Sequence, residues 1–328
     1  MPTLTPSLGI AGAVAAVGAG LAWSLAEARA FTLRRFTVPV LPPGSAPLRV
    51  LHLSDLHLVP RQRRKIEWVR ELAASQPDLV VSTGDNLAHM DAVPSVLEAH
   101  GDLLDRPGAF VLGSNDYFAP KPKNPARYLR AAAGARRIHG RRLPTQSLVD
   151  GFRAAGWLDL TNARGTLDVA GQRLDFVGVD DPHLKRDRYE RVTGAPASDA
   201  TLTVGVTHAP YLRVLDAMAG DGARLLLAGH THGGQLCVPG FGALVTNCDL
   251  PTDRARGVSR WNGTFRTASD DGAWLHVSAG LGTSPFSPVR FACRPEASLL
   301  TLVGSDVVDG SVPVPGNRFG RRLAARLS

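Results

Sequence analysis

The sequence predicts an α/β layered fold, and three observations predict it. Apolar runs of strand character alternate with amphipathic stretches of helical period between residues 47 and 303. The 328 residues are 44% hydrophobic and 20% charged, values that exclude wholesale disorder and collagen-like structure and leave enough chain for a full core. Polar residues recur just past the ends of the strand-like runs, the edge at which open α/β sheets bind ligands. The length suits two ordinary domains or one large one.

The first element is hydrophobic. Residues 1–26 carry no charged side chain, and Leu8 to Ala26 is an apolar run of 19 residues. As a helix it would reach about 29 Å, one hydrocarbon thickness. Its glycines (Gly9, Gly12, Gly18, Gly20) weaken a span and favour helix contact. A membrane anchor over residues 1–28 is the reading preferred to a buried core helix or a cleaved signal, which would want a basic start. Two stretches, Ala26-Glu27-Ala28 and Ala28-Arg29-Ala30, nevertheless resemble cleavage sites. Arg29, Arg34 and Arg35 follow the run and place the body on the cytoplasmic face; export is the alternative that a signal peptide would bring.

Residues 29–46 read as a linker and possible first strand, with Leu41–Ala46 the clear linker. Strands are expected over Leu48–Ser54, Asp78–Thr83, Ala109–Leu112, Thr201–Val206 and Arg224–Ala228, and helices over 62–75, Ala92–Leu104, Thr145–Ala155 and Arg213–Ala219. Gly171 splits Leu167–Val179 into a hairpin, and the apolar runs at 273–278 and 297–303 close the sheet. The catalytic domain is therefore set at 47–304. A basic insertion occupies 117–149, where eight Lys and Arg stand without an acid, and a basic tail occupies 305–328. Such stretches suit a solvated surface, or an anionic lipid surface or substrate. Few interleaved aromatics and no binding-fold signature argue against nucleic acid. Cys237, Cys248 and Cys293 are too few for a disulfide scaffold and form no CxxC.

The strand-end residues are Asp55, His57, Asp85, Asn115, His208, His230 and His232. Four of the ten histidines sit in these turns, and five separate segments repeat the pattern of strand followed by ligand. Carboxylate, amide oxygen and imidazole without thiolate suit Mn, Zn or Fe. Seven ligands exceed one tetrahedral site and match two ions, with an Asp bridging. Such a pair activates water to hydroxide near neutral pH and clamps phosphoryl oxygens, which is the chemistry of phosphoester hydrolysis.

Asp55-Leu56-His57, Gly84-Asp85-Asn86, Gly113–Asp116, Thr207-His208 and Gly229–Gln235 (GHTHGGQ) together resemble the calcineurin-like metallophosphoesterase signature. The stretches 178–183, 229–246 and 278–296 look like its bacterial membrane-associated branch, which includes hydrolases of lipid headgroups such as UDP-diacylglucosamine. The resemblance implies a four-layer α/β/β/α sandwich with two central mixed sheets. It assigns Asp55, His57 and His232 to one metal, Asn115, His208 and His230 to the second, and Asp85 to both. One departure stands out. The family turn is G-N-H-D and this one is G-S-N-D, so the imidazole that protonates a leaving group is missing and Ser114 holds the Asn place. We expect Asn115 to supply the amide ligand, and Asp116 to orient the turn or the attacking water.

Three further features have weaker readings. Asp180, Asp181 and His183 form a polar cluster, either an Asp-Pro turn or a support for substrate, with His183 the candidate contact. Arg290 is a candidate for a substrate phosphate, or else a surface residue. Gly233, Gly234, Gly280 and Gly282 read first as turn glycines. The expected function is a dinuclear phosphohydrolase acting on a phosphorylated small molecule or lipid headgroup at the membrane. A metal-bound scaffold with little turnover and a nuclease are the alternatives.

Overall fold

A computed structural model of the chain describes residues 6–122, 139–262 and 272–307, with side chains from residue 15 onward. Five basic residues of the insertion (Lys123, Arg127, Arg130, Arg136, Arg137) and all four arginines of the tail lie outside the described residues. Helix α1 (Pro6–Glu27) leads into strand β1 (Thr32–Leu41). Then come β2 (Leu48–Leu53), α2 (Arg63–Glu71), β3 (Leu79–Ser82), α3 (Val93–His100), β4 (Gly108–Phe110), α4 (Ser114–Tyr117), α5 (Thr145–Ala154) and β5 (Leu158–Asp159). The second half runs through β6 (Ala163–Val169), β7 (Gln172–Gly178), β8 (Leu202–Thr207), α6 (Leu212–Gly220) and β9 (Leu225–Ala228). It ends with β10 (Cys237–Val238), β11 (Gly242–Ala243), β12 (Gly257–Trp261), β13 (Ala273–Val277) and β14 (Glu296–Gly304).

Two six-stranded mixed sheets result, ordered β1-β14-β2-β3-β4-β5 and β12-β13-β9-β8-β7-β6. The two-residue period of each strand builds the layers. In β2, Leu51 and Leu53 face α2, α3 and α5, while Leu48 and Val50 face the other sheet. Phe176, Val204, Val206 and Leu227 meet them from β7, β8 and β9. On the far face of the second sheet, Val177, Leu226 and Leu275 pack under Val214, Leu215 and Met218 of α6. The α/β sandwich is the fold observed. Strands β2 to β5 run parallel, as do β7, β8, β9 and β13, so several strands of both sheets end at one edge.

Three sequence readings change. The stretch expected as a linker and possible first strand is mostly strand: Thr32–Leu41 pairs in parallel with Glu296–Gly304, a partner more than 260 residues away that no local pattern announces. The expected helix over Ala92–Leu104 breaks at Gly101, whose φ of 44° ends α3 before a tighter turn runs to Asp105. For α1 the core-helix alternative falls, because Val17 and Trp23 are 73% and 60% exposed. Among the described residues no helix is long and apolar enough to cross a membrane. The C-terminal end of α1 is nonetheless fixed to the body. Glu27, itself buried, accepts N–H bonds from Ala292 (3.1 Å) and Cys293 (2.7 Å), and Arg290 N–H donates to the Ser24 carbonyl (3.0 Å).

Candidate metal centre

Three of the five strand-end turns deliver their side chains under backbone strain. Asp55, His57, Asp85, His230 and His232 all have positive φ, between 42° and 70°. For residues bearing a Cβ this region costs of order 1–3 kcal/mol, and such strain clusters where a site needs a fixed geometry. The packing around Asp55 is tight as well. A Cβ at Gly229 would collide with Ser54 Oγ, and one at Gly280 with the Asp55 side chain. Gly280 (φ 67°) thus serves both a turn and close packing, whereas Gly282 is held by close approach to the Asp55 and Leu56 carbonyls alone.

Two groups of ligand-type atoms converge: Asp55 with His57 and His232, and Asp55 with Asp85 and His208. Asp55 Oδ2 accepts from Ser54 Oγ (2.6 Å) and His230 N–H (3.0 Å). Its Oδ1 is buried without a hydrogen-bond partner, 3.6 Å from His232 Nε2 and 4.0 Å from His57 Nε2. Asp85 lies between the groups: Oδ2 is 3.5 Å from His57 Nε2, and Oδ1 is 3.5 Å from His208 Nε2. His230 Nδ1 stands 3.3 Å from His208 Nε2. His208 donates from Nδ1 to the Thr83 carbonyl (2.7 Å), and His232 from Nδ1 to the Gly282 carbonyl (3.2 Å). Both rings therefore turn Nε2 into the cluster, the nitrogen a metal would take.

The electrostatics fit cations. Burial pushes His57 down to about 3 and His232 and His230 below the ordinary imidazole range, so these rings are neutral. Burial also opposes charge on His208, yet Asp85, Asp55 and Asp181 outweigh it and raise its pKa to about 9. A site that draws a proton onto a fully buried imidazole carries uncompensated negative charge. Together with the orphaned Asp55 oxygen, that is the environment a bound cation satisfies.

At the G-S-N-D turn the two candidate residues are placed differently. Asn115, not Ser114, lies on Asp85: its N–H donates to Oδ1 and its Nδ2 to Oδ2, both at 2.7 Å. Turning the amide by 180° would put Oδ1 at the same place, where a cation shared with Asp85 would meet it. Asn115→Ala is therefore expected to weaken binding at the second position and to lower kcat, with partial recovery in excess Mn²⁺. Ser114→Ala should change both little. Metal titration of the two variants checks this, and the opposite order would return the ligand role to Ser114.

Of the two roles expected for Asp116, orienting the turn or the attacking water, its contacts are those of the first. It is fully buried and its oxygens are taken up by four N–H groups: Asp85 (2.8 Å) and Gly113 (2.9 Å) on Oδ2, Asn86 (2.8 Å) and Leu87 (3.3 Å) on Oδ1. It clasps the Gly84–Asn86 turn to the Gly113–Asp116 turn and leaves no oxygen for a water. Arg290 changes more. Far from lying on the surface, it is 0% exposed. Its Nη2 donates to the carbonyls of Ala279 (2.7 Å), Gly280 (3.0 Å) and Gly282 (2.7 Å), and its Nη1 to that of His232 (3.3 Å). It holds the backbone around His232 rather than meeting a substrate phosphate. His183 does lie at the cluster, its ring centroid 4.4 Å from that of His230. The turn that carries it is capped by Asp181, which accepts the His183 N–H (2.8 Å), so the Asp-Pro turn reading and the support reading describe the same residues.

Sequence reasoning missed two supports. Lys65 in α2 is buried and donates to the Leu56 carbonyl (2.8 Å) between Asp55 and His57; burial, with Arg290 nearby, pushes it down to about 7. A hydrogen-bonded chain runs inward from Asp55 through Ser54 and Thr83 to His52 and on to His276, with links of 2.6 to 2.8 Å. The only signal for either was a polar residue at an expected core position.

Comparison with known proteins accords with this geometry. A family model described as calcineurin-like phosphoesterase matches residues 48–234. YpbG, an uncharacterised protein of Bacillus subtilis strain 168, is 27% identical over 305 residues, 92% of this chain and 99% of its own length. A metallophosphoesterase of Aquifex aeolicus is 26% identical over 297 residues, 86% of this chain and 96% of its own. The Escherichia coli phosphodiesterase YaeI is 24% identical over 286 residues, 83% of this chain and 88% of its own. With the family model spanning more than half of the sequence and the candidate ligands gathered at one sheet edge, the chain belongs to the calcineurin-like phosphoesterase family and is a metal-dependent phosphoesterase.

Proposed function

We propose that this phosphoesterase uses two cations, held by Asp55, His57 and His232 and by Asn115, His208 and His230, with Asp85 touching both. We further propose that it cleaves a phosphodiester or pyrophosphate bond in a lipid-linked or nucleotide-linked molecule at an anionic membrane surface. The observation that carries this is Asp85, whose two oxygens face ring nitrogens of different groups at 3.5 Å. When bound, such a pair supplies a lowered water pKa and positive charge for phosphoryl oxygens. The chain's own part is to hold Asp85 still through Asp116 and the Asn115 N–H, and to orient His232 through the Gly282 carbonyl.

The turn at 113–116 supports the choice of bond. It offers an amide where a proton-donating imidazole would stand, so leaving groups that depart as stable anions are favoured. A relative named as a phosphodiesterase supports the same direction. With added Mn²⁺, bis(p-nitrophenyl) phosphate and a nucleoside diphosphate sugar should turn over, and glycerol phosphate about 10²–10⁴-fold more slowly, because its alkoxide needs a proton. Equal rates on all three overturn the reading. Membrane placement draws on the apolar run of residues 8–26 and the arginines after it.

A further inference from the structure

We propose that the β10–β11 hairpin and the adjoining 284–291 loop form a lipid-docking face that sets the mouth of the metal centre against an anionic bilayer. The inference rests on the membrane reading above and names the surface that makes the contact.

The hairpin belongs to neither main sheet. Its inward residues, Cys237 and Ala243, are buried against Ala255, Ala279 and Cys293. Everything large that it turns outward is apolar: Phe241 is 75% exposed at the turn, Leu244 56%, Leu236 48% and Val238 44%. Phe286 on the neighbouring loop is 54% exposed. Single exposed apolar residues are ordinary, but a cluster on protruding turns marks a binding surface.

Three observations choose lipid as the occupant. First, the face is continuous with α1. Cys237 N–H donates to the Phe291 carbonyl (2.9 Å), Phe291 N–H to that of Gln235 (3.0 Å), and Arg290 N–H to that of Ser24 (3.0 Å). Gln235 Nε2 also reaches the Ser287 (2.9 Å) and Val289 (3.0 Å) carbonyls. Second, residues 15–19 and 21–23 of α1 are apolar and exposed on every side of the helix. One protein face would cover one stripe of such a helix, whereas lipid covers it all round. Third, the charge is of one sign. Neither 229–248 nor 279–294 contains an acid, and Arg29 and Arg294, both exposed, flank the Glu27–Cys293 bond. Apolar tips with a basic margin match anionic headgroups. The hairpin leaves the His232–Gly234 turn directly, and His232 is 14% exposed where Asp55 and His57 are 0% and 3%. The centre therefore opens beside this face.

The test uses the full chain with an environment-sensitive fluorophore on Phe241→Cys in a Cys248→Ser background, since Cys237 and Cys293 are buried. Vesicles of phosphatidylcholine with phosphatidylglycerol should raise its emission about threefold and make it quenchable by nitroxide lipid, as for a side chain entering the headgroup–acyl boundary. The same label at Asp168, exposed on edge strand β6, should not respond. Phe241→Asp with Phe286→Asp should lower vesicle flotation about tenfold. If the chain floats while the label at 241 stays in water, α1 binds alone: the membrane reading stands and the docking face falls. A chain that does not float at all overturns both. A label already shielded without vesicles, increasingly so with protein concentration, assigns the face to a second copy and overturns the proposal.

Discussion

Asp85→Ala is expected to lower turnover by about a thousandfold or more and to remove more bound metal than any other single change at the site. The carboxylate stands between His57 and His208, so its loss opens both ligand groups at once. It also accepts both bonds from Asn115, which would lose its anchor. The fold should survive, because Asp116 still clasps the two turns through the backbone. Metal analysis and turnover on one preparation, with circular dichroism as the control, check the expectation. A variant that keeps wild-type metal content and rate would refute the two-cation reading.

The largest stability effect is expected at Arg290. Arg290→Met takes the guanidinium donor from the carbonyls of Ala279, Gly280, Gly282 and His232 at once, in a buried loop. Breaking a buried, charged hydrogen-bond network of this kind costs about 3–5 kcal/mol. For a chain of this size that corresponds to a fall in Tm on the order of 10 °C. A surface arginine that met substrate would do the opposite, changing stability by less than about 0.5 kcal/mol and raising KM. Thermal unfolding and steady-state kinetics on the variant separate the two. Turnover should also fall, because Gly282 is where His232 Nδ1 is held.

The sequence made the strand-end residues visible because a strand's end is a local event. An apolar run stops, a glycine or polar residue follows, and the next side chain lies at the sheet edge. Asp55, Asp85, His208 and His230 were each found in that way, and the structure brings them to one edge. What the sequence concealed is non-local. Strand β1 is defined by a partner near the other end of the chain. Arg290 looked exposed because its acceptors are backbone carbonyls, which leave no mark in residue identity. Asp116 kept two roles open for a related reason: a carboxylate that accepts four backbone N–H bonds and one that orients a water are the same letter. The shifted role of Asn115 was legible only through chemistry, since an amide oxygen is a better ligand than a neutral hydroxyl.

The clasp at Glu27 ties the N-terminal helix to the integrity of the centre. Its two oxygens complete the Ala292 and Cys293 N–H groups, in the loop that also carries Arg290 and, through it, the backbone of His232. Ala26-Glu27-Ala28, which resembles a processing site, lies inside this clasp. A cut there would do more than remove α1. It would take away the acceptor of two loop amides, at about 1–3 kcal/mol each, and slacken the frame on which His232 is hung. Loss of α1 and loosening of the centre would in that sense be one event.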